Sequence, residues 1–280
     1  MKIKFGKYHA LGNDFVVLDG SGYRFGRARV CRLAVDICSR REGVGADGVL
    51  LLTKSKGVDC KVDVFNADGS WAEKSGNGLR ITAAHLRKAG KPSARFRILM
   101  GGEESLVSLG KPIRGGFLVK AELGRPDFRS SHVPVKSRGK YVINHSLRIG
   151  RGSVIATCLS IGNPHTVICV DDLDFDWQAL GREMEHAPIF PRATNVEFVK
   201  VLGRSKLRVN DWERGAGATG SSGTGAAAAV CALVMMGRAD RKCEVQFATG
   251  SLFIHWRETD NMVELTGPAQ HVMTGEYDWR

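Results

Sequence analysis

The 280-residue chain exceeds one typical domain and falls short of three, which favours two domains of roughly 100–150 residues. With 43% hydrophobic and 25% charged residues it can bury a core, which excludes global disorder and collagen-like repeats. The net charge of +12 comes from Lys and Arg scattered among acids. Basic clusters such as Arg40-Arg41 and Lys136–Lys140 are short, with no RNA-binding aromatic signature or zinc-finger spacing, so no nucleic-acid partner is expected. No apolar run approaches the roughly 20 residues of a membrane span, and the segment from Met1 to Val17 lacks the apolar centre of a secretory leader, so no membrane partner is expected either. The 7 cysteines include no CxxC pair, which fits reduced, buried thiols in the cytoplasm and no metal site.

Taken in chain order, residues 1–8 and 14–19 read as strands joined by the turn-rich Ala10-Leu11-Gly12-Asn13. Residues 26–39 place Val30, Leu33, Ala34 and Ile37 at helical spacing. Val49–Thr53 and Cys60–Phe65 are strand candidates, and Leu79–Lys88 reads as a helix with Gly90 where a C-terminal cap is expected. Short strands follow to about residue 160, then a short helix over Leu173–Arg182. Asn195–Leu202 and Leu207–Trp212 form a candidate hairpin across Gly203-Arg204-Ser205. Ala226–Met236 is a small-residue helix stopped by Gly237, and Cys243–Phe247, Ser251–Trp256 and Met262–Thr266 read as closing strands. Many strands with two or three helices predict an α+β fold.

The chain also repeats itself. Gly12-Asn13 recurs as Gly162-Asn163, 150 residues on. Phe65-Asn66-Ala67-Asp68-Gly69 corresponds to Trp212-Glu213-Arg214-Gly215-Ala216, and Ser75-Gly76-Asn77-Gly78 to Ser222-Gly223-Thr224-Gly225, both 147 residues on. Three matches in one order at nearly one offset predict two structurally similar halves, with a site in the interdomain cleft that draws one loop of each kind from both.

Strand, then S-G-x-G, then helix is an arrangement with a mechanism. Glycine lets the backbone approach a ligand, and a helix N-terminus presents unpaired N–H groups to an anion such as a carboxylate. A P-loop is excluded, because neither copy ends in Gly-Lys-Ser/Thr. Asn13, Asn66, Asn163 and Asn195 flank strand ends, where an amide suits either a turn or a polar zwitterionic ligand. Glu213-Arg214 could clamp an amino group and a carboxylate or form a surface ion pair, and His165 is open between a structural and a catalytic role.

Tyr8–Val17 (YHALGNDFVV), Arg41–Val49 (REGVGADGV), Phe65–Arg80 (FNADGSWAEKSGNGLR), Ser160–His165 (SIGNPH), Asn195–Phe198 and Glu213–Ala226 together resemble the diaminopimelate epimerases, amino-acid epimerases that work without pyridoxal phosphate. The resemblance spans nearly the whole chain. It implies two similar α+β halves, each with a mixed or antiparallel sheet wrapped around a central helix. The first is expected over residues 1–123 plus 269–280 and the second over 124–268. It implies a small amino-acid substrate, no cofactor, a homodimer, and interconversion of LL- and meso-diaminopimelate at Cα by two bases. The matching substrate-binding positions are Asn13, Asn66, Gly76, Asn77, Asn163, Asn195, Glu213, Arg214, Gly223 and Thr224, the α-carboxylate being held at the two helix N-termini. The implied catalytic positions are Ser75, Ser222, His165 and Glu213, the last two as the polar pair that assists the bases.

The chain departs from this family where the chemistry is most demanding. Members carry Cys where Ser75 and Ser222 stand, and none of the chain's cysteines falls at either position. A thiol, with a pKa of about 8.5, can be tuned into a thiolate, whereas a serine hydroxyl is a weaker acid by several units, each worth about 1.4 kcal/mol. A helix terminus supplies only about 0.3–2 kcal/mol. Engineered capture of a substrate complex and natural divergence are the two explanations. Lys74, Thr166 and Ala218 also depart from the usual pattern, which favours divergence. Lys74 adjoins Ser75, so a Ser–Lys base is conceivable, although sequence neighbours often point apart. The alternatives to an epimerase are a dehydratase or other isomerase acting on a different amino acid, or a non-catalytic amino-acid-binding homologue.

Overall fold

A computed structural model describes residues 1–20, 26–150 and 152–279. The chain divides into two compact units, Met1–Glu122 with Thr266–Arg280, and Leu123–Leu265.

In the first unit, β1 (Lys2–Ala10) and β2 (Asn13–Asp19) form a hairpin. Its two turn residues, Leu11 and Gly12, both have positive φ (53° and 86°), as in a type I′ turn, whose twist matches that of paired strands. Asn13 therefore starts β2 rather than sitting in the turn. After α1 (Arg27–Cys38), β3 (Gly48–Thr53) pairs parallel to β2 and antiparallel to β4 (Cys60–Asn66), which also pairs with the two-residue β5 (Trp71–Ala72). Next come α2 (Gly76–Lys88), β6 (Arg95–Met100), β7 (Glu103–Ile113) and β8 (Gly116–Gly124). The order β1-β2-β3-β4-β6-β7-β8 is extended by β16 (Val263–Asp278), which also pairs with β1 and so closes the sheet into a ring. The helix α2 packs on β1, β2, β6 and β7. The strand β3 is buried on both faces. Val49 and Leu51 join the α1 side, whereas the Leu50 side chain lies against Gly78 of α2, as the two-residue period of a strand dictates.

The second unit repeats this plan. Its elements are β9 (His145–Ile149), β10 (Gly152–Ser160), β11 (Pro164–Cys169), α3 (Trp177–Glu185), β12 (Asn195–Gly203), β13 (Lys206–Trp212), α4 (Gly223–Met235), β14 (Lys242–Phe247) and β15 (Gly250–Trp256). The pairings β10–β11 antiparallel, β11–β12 parallel, β12–β13 antiparallel, β13–β14 parallel and β14–β15 antiparallel copy those of β1 through β7. α4 packs on β10 through β15 as α2 does in its own unit. The fall in offset from 150 to 147 has a single location. The connection from β2 to β3 holds 28 residues and that from β11 to β12 holds 25. The α+β architecture from duplicated halves is therefore present in both pairing order and register.

Several element limits differ from the sequence reading. All four segments read as helical are helices among the described residues, more than the two or three used for the fold class. α2 and α4 begin three residues earlier than the apolar periodicity indicates, because Ser75 and Ser222 cap them ahead of the first large apolar side chain. α3 begins at Trp177 instead of Leu173, because the Asp176 side chain accepts from Ala179 N at 3.0 Å and fixes the start there. α2 ends at Lys88, followed by Gly90 at φ +88°. The closing strand is β16, 16 residues long, of which the sequence reading caught only the beginning.

Candidate functional site

Each unit presents a serine at the start of its central helix, held in the same way. Ser75 Oγ accepts from Gly78 N at 2.9 Å, and Ser222 Oγ accepts from Gly225 N at 3.1 Å. The glycine three residues on leaves room for this fold-back. A Cβ at Gly78 would stand 3.2 Å from Ser75 Cβ, and one at Gly225 would stand 3.0 Å from Ser222 Cβ. The four residues S-G-x-G thus form a compact helix start with the positive end of the helix dipole at the serine.

Around Ser75 the partners are neutral or committed elsewhere. Asn13 donates to Asp47 Oδ2 (2.9 Å) and accepts from Asn77 Nδ2 (2.9 Å), and Asn77 Oδ1 accepts from the buried Arg80 (2.7 Å). Arg80 also donates to the Pro268 carbonyl at 3.3 Å, and its Nη1 has no hydrogen-bond partner among the described residues. Asn66 donates to Ser70 Oγ at 2.9 Å and bonds none of the other predicted residues. Lys74 is buried with its ammonium 2.6 Å from Glu103 Oε2, so its charge is engaged by an acid on β7.

The surroundings of Ser222 are acidic. His165 is fully buried, with Nδ1 2.6 Å from Glu197 Oε1 and Nε2 2.9 Å from Asn163 Oδ1. Asn163 Nδ2 in turn lies 3.4 Å from Thr224 Oγ1 on α4. Asn195 donates to the Pro164 carbonyl at 2.7 Å and accepts from Arg214 N at 3.0 Å, while the Arg214 guanidinium reaches the Arg192 carbonyl at 3.2 Å. Glu213 is hydrogen-bonded to Thr219, and the Ser222 hydroxyl lies close to its carboxyl. Burial raises its pKa to about 7 against the opposing pull of these hydroxyls and His165. Burial also raises the Glu197 carboxyl, and burial with Glu213 nearby holds Asp211 well above the usual carboxylate range.

The structure thus joins Asn13 to Asn77, Asn163 to His165 and Thr224, Asn195 to Arg214, and Glu213 to Ser222. Asp47, Arg80, Glu197, Asp211 and Thr219 complete these groups and were missed from sequence. Two of them carried a readable signal. Asp211 continues the inward register of Leu207 and Val209, and Glu197 lies inside a strand buried on both faces, so each is an acid where packing calls for an apolar residue. The cysteines play no part here. All are unbridged, none caps α2 or α4, and burial raises the thiols of Cys38, Cys60, Cys158, Cys231 and Cys243. Among the described residues no group of three or more His, Cys, Asp or Glu could hold a metal ion, and no helix is long and apolar enough to cross a membrane.

Comparison with known proteins reaches nearly the whole chain. The family profile described as diaminopimelate epimerase matches residues 5–127 and 157–272. The diaminopimelate epimerase of Pelotomaculum thermopropionicum is 41% identical over 282 residues, covering 99% of each chain. That of Gloeothece citriformis is 39% identical over 288 residues, covering 99% of this chain and all of its own. Among solved structures, a hydroxyproline epimerase from Agrobacterium vitis with bound trans-4-hydroxy-L-proline has a TM-score of 0.73 at 12% identity, covering 98% of this chain and 90% of its own. A PhzF-family phenazine biosynthesis protein from Bacillus anthracis has a TM-score of 0.69 at 15% identity, covering 99% of both. At such identities these two structures bear on the fold alone.

Proposed function

Because the chain belongs to the diaminopimelate epimerase family, we propose that it acts on the α-carbon of diaminopimelate, interconverting the LL and meso forms with Ser75 and Ser222 in the positions of the two bases. The observation that carries this reading is the repeated helix start. Both copies cap a buried central helix with a serine, fold it back over a glycine, and set the positive end of a helix dipole where an α-carboxylate would be held. Gly76, Asn77, Gly223 and Thr224 are the proposed carboxylate-holding residues. Asn13, Asn66, Asn163, Asn195, Glu213 and Arg214 are proposed to surround the substrate, and His165 with Glu213 to assist proton transfer. The reaction is read as needing no cofactor, and the protein as a cytoplasmic homodimer.

The reaction requires one group to remove the Cα proton and another to return a proton to the opposite face. A hydroxyl does this poorly unless a neighbouring base takes its proton as it acts. Ser222 has such a neighbour in Glu213, whereas the Ser75 hydroxyl accepts from Gly78 N and its backbone N–H donates to Met100 Sδ. Slow or one-sided exchange is therefore the expected behaviour. The test is deuterium incorporation at Cα of LL- and meso-diaminopimelate in D₂O, followed by NMR, for the wild type and for Ser75→Cys with Ser222→Cys. The double variant is expected to create or raise exchange by about 10²-fold or more, within the usual range for acid–base catalysis. Binding without exchange in the double variant overturns the diaminopimelate assignment in favour of another amino acid or a binding role. A β-elimination product points instead to dehydration.

A further inference from the structure

The two copies of the fold differ most sharply beneath the capping serine. Where the second copy has His165, Glu197, Asp211 and Thr219, the first has Phe15, Leu50, Val64 and Ala72 at the corresponding positions. In the first copy Val64 and Ala72 are directly paired across β4 and β5. In the second, Thr219 Oγ1 lies 3.0 Å from Asp211 Oδ2 and is also in hydrogen-bond contact with Glu213 Oε1.

One hydroxyl has one proton, so it can donate to only one of two carboxylates. With both acids ionised, one of these two close oxygen contacts would have no hydrogen in it, in a region where an unpaired charge is costly. A second proton must therefore be present. Among the described residues Asp211, 3% exposed, has no cation beside it, whereas Glu213 has the Ser222 hydroxyl and His165 close to its carboxyl. Protonated Asp211 and ionised Glu213 are the arrangement that satisfies every atom. We propose that Asp211 is a positioning residue that holds one proton in common with Glu213 through Thr219, and that this shared proton sets whether Glu213 serves Ser222 as base or as acid.

The chain runs Asp211 Oδ2–H to Thr219 Oγ1, Thr219 Oγ1–H to Glu213 Oε1, and Ser222 Oγ–H to the Glu213 carboxylate. Moving the Thr219 proton to Glu213 and the Asp211 proton to Thr219 transfers the negative charge from Glu213 to Asp211, with no proton gained or lost. When Ser222 Oγ takes a proton from carbon, its own proton passes to Glu213 and the C–H electron pair stays on carbon. In the opposite direction, protonated Glu213 returns a proton to Ser222 as Ser222 gives its own to carbon. The titratable groups facing this chain are Glu197 on β12 and His165 on β11, which meet each other at 2.6 Å. The catalytic part of this inference rests on the reading of Ser222 as a base, but the shared proton does not.

The experiment has one arm for each part. Difference infrared spectroscopy of the whole protein at about pH 8, above the value near 7 at which Glu213 loses its proton, reads protonated carboxyl groups without substrate. One such carboxyl is expected to disappear in Asp211→Asn and to remain in Glu213→Gln. An unchanged protonated-carboxyl signal in Asp211→Asn overturns the proposal. The second arm is the pH profile of Cα exchange for Asp211→Val with Thr219→Ala, a pair that copies Val64 and Ala72 and so restores a packing this fold already contains. It is expected to lower kcat by about tenfold or more, part of the roughly 10²–10⁴-fold range of acid–base catalysis, with KM unchanged and the alkaline limb displaced. A wild-type profile in that variant overturns the role in proton transfer. If the wild type itself shows no exchange, the proposed reaction fails, and the infrared arm still decides the shared proton.

Discussion

Glu213→Gln replaces a carboxyl that the fold pushes from 4.5 to about 7 with an amide of the same shape that cannot ionise. In the unfolded chain the carboxyl loses its proton near 4.5, and in the folded chain only near 7. Between those two values unfolding releases a proton, so stability falls as the pH rises. The contribution is fully present below 4.5 and lost above about 7. At about 1.4 kcal/mol per pH unit the full window amounts to about 3 kcal/mol, of which about 2–3 kcal/mol lies between about pH 5 and about pH 8. Urea unfolding at these two pH values reads the difference directly. The wild type should lose that much more stability than Glu213→Gln on going from the lower to the higher pH, and the variant should be the more stable protein at about pH 8. Asp211 pulls in the same direction, so Asp211→Asn should flatten the profile as well. Equal pH slopes in wild type and Glu213→Gln, or a variant less stable at the higher pH, would refute the claim that packing opposes the charge at this site.

Two further substitutions probe the helix starts. Gly225→Ala places a Cβ 3.0 Å from both Glu197 Oε1 and Ser222 Cβ. Because Glu197 is pinned by His165, a net loss of about 1–2 kcal/mol in thermal or chemical unfolding is expected, despite the better helix propensity of alanine. Gly78→Ala places a Cβ 3.0 Å from the flexible Leu50 tip and 3.2 Å from Ser75 Cβ, with no pinned carboxylate in the way, and should cost less than Gly225→Ala by the same measurement. Lys74→Met removes a buried ammonium whose partner Glu103 is 56% exposed and can return to water, so Tm should stay level or rise, by up to about 2 kcal/mol of stability. A clear fall in Tm would show that the Lys74–Glu103 pair stabilises the first unit.

The parts of the fold that were legible in the sequence are those set by local pattern. Helical spacing of Val30, Leu33, Ala34 and Ile37 located α1, and the recurrence of Gly-Asn and S-G-x-G revealed the two copies before any strand was paired. The errors at the starts of α2, α3 and α4 share one origin. Apolar periodicity marks where a helix buries its face, whereas Ser75, Asp176 and Ser222 mark where its hydrogen bonding begins. Of the site, the serines and the glycine turns that follow them were readable, but the amide partners were not. Asn13 meets Asp47 and Asn77 across 34 and 64 residues, pairings that the β2–β3 ladder and the packing of α2 on β2 create. The Asp211 relay was half legible, because an acid in the inward register of β13 signals a buried partner without revealing that the partner is Thr219.

The closure of the first ring by β16 also orders events during synthesis. β1 and β8 acquire their shared neighbour only after the intervening unit, Leu123–Leu265, has been made. At about 5–20 residues per second, those 143 residues occupy about 7–30 s. The second unit is contiguous and can complete most of its sheet as it emerges, while the earlier-made strands β1 and β8 wait with open edges. Unpaired edges are where chains join one another instead of themselves. The interval before β16 arrives is therefore the stage at which this protein depends most on dilution or on a chaperone, and a ribosome pausing within residues 123–265 lengthens it directly.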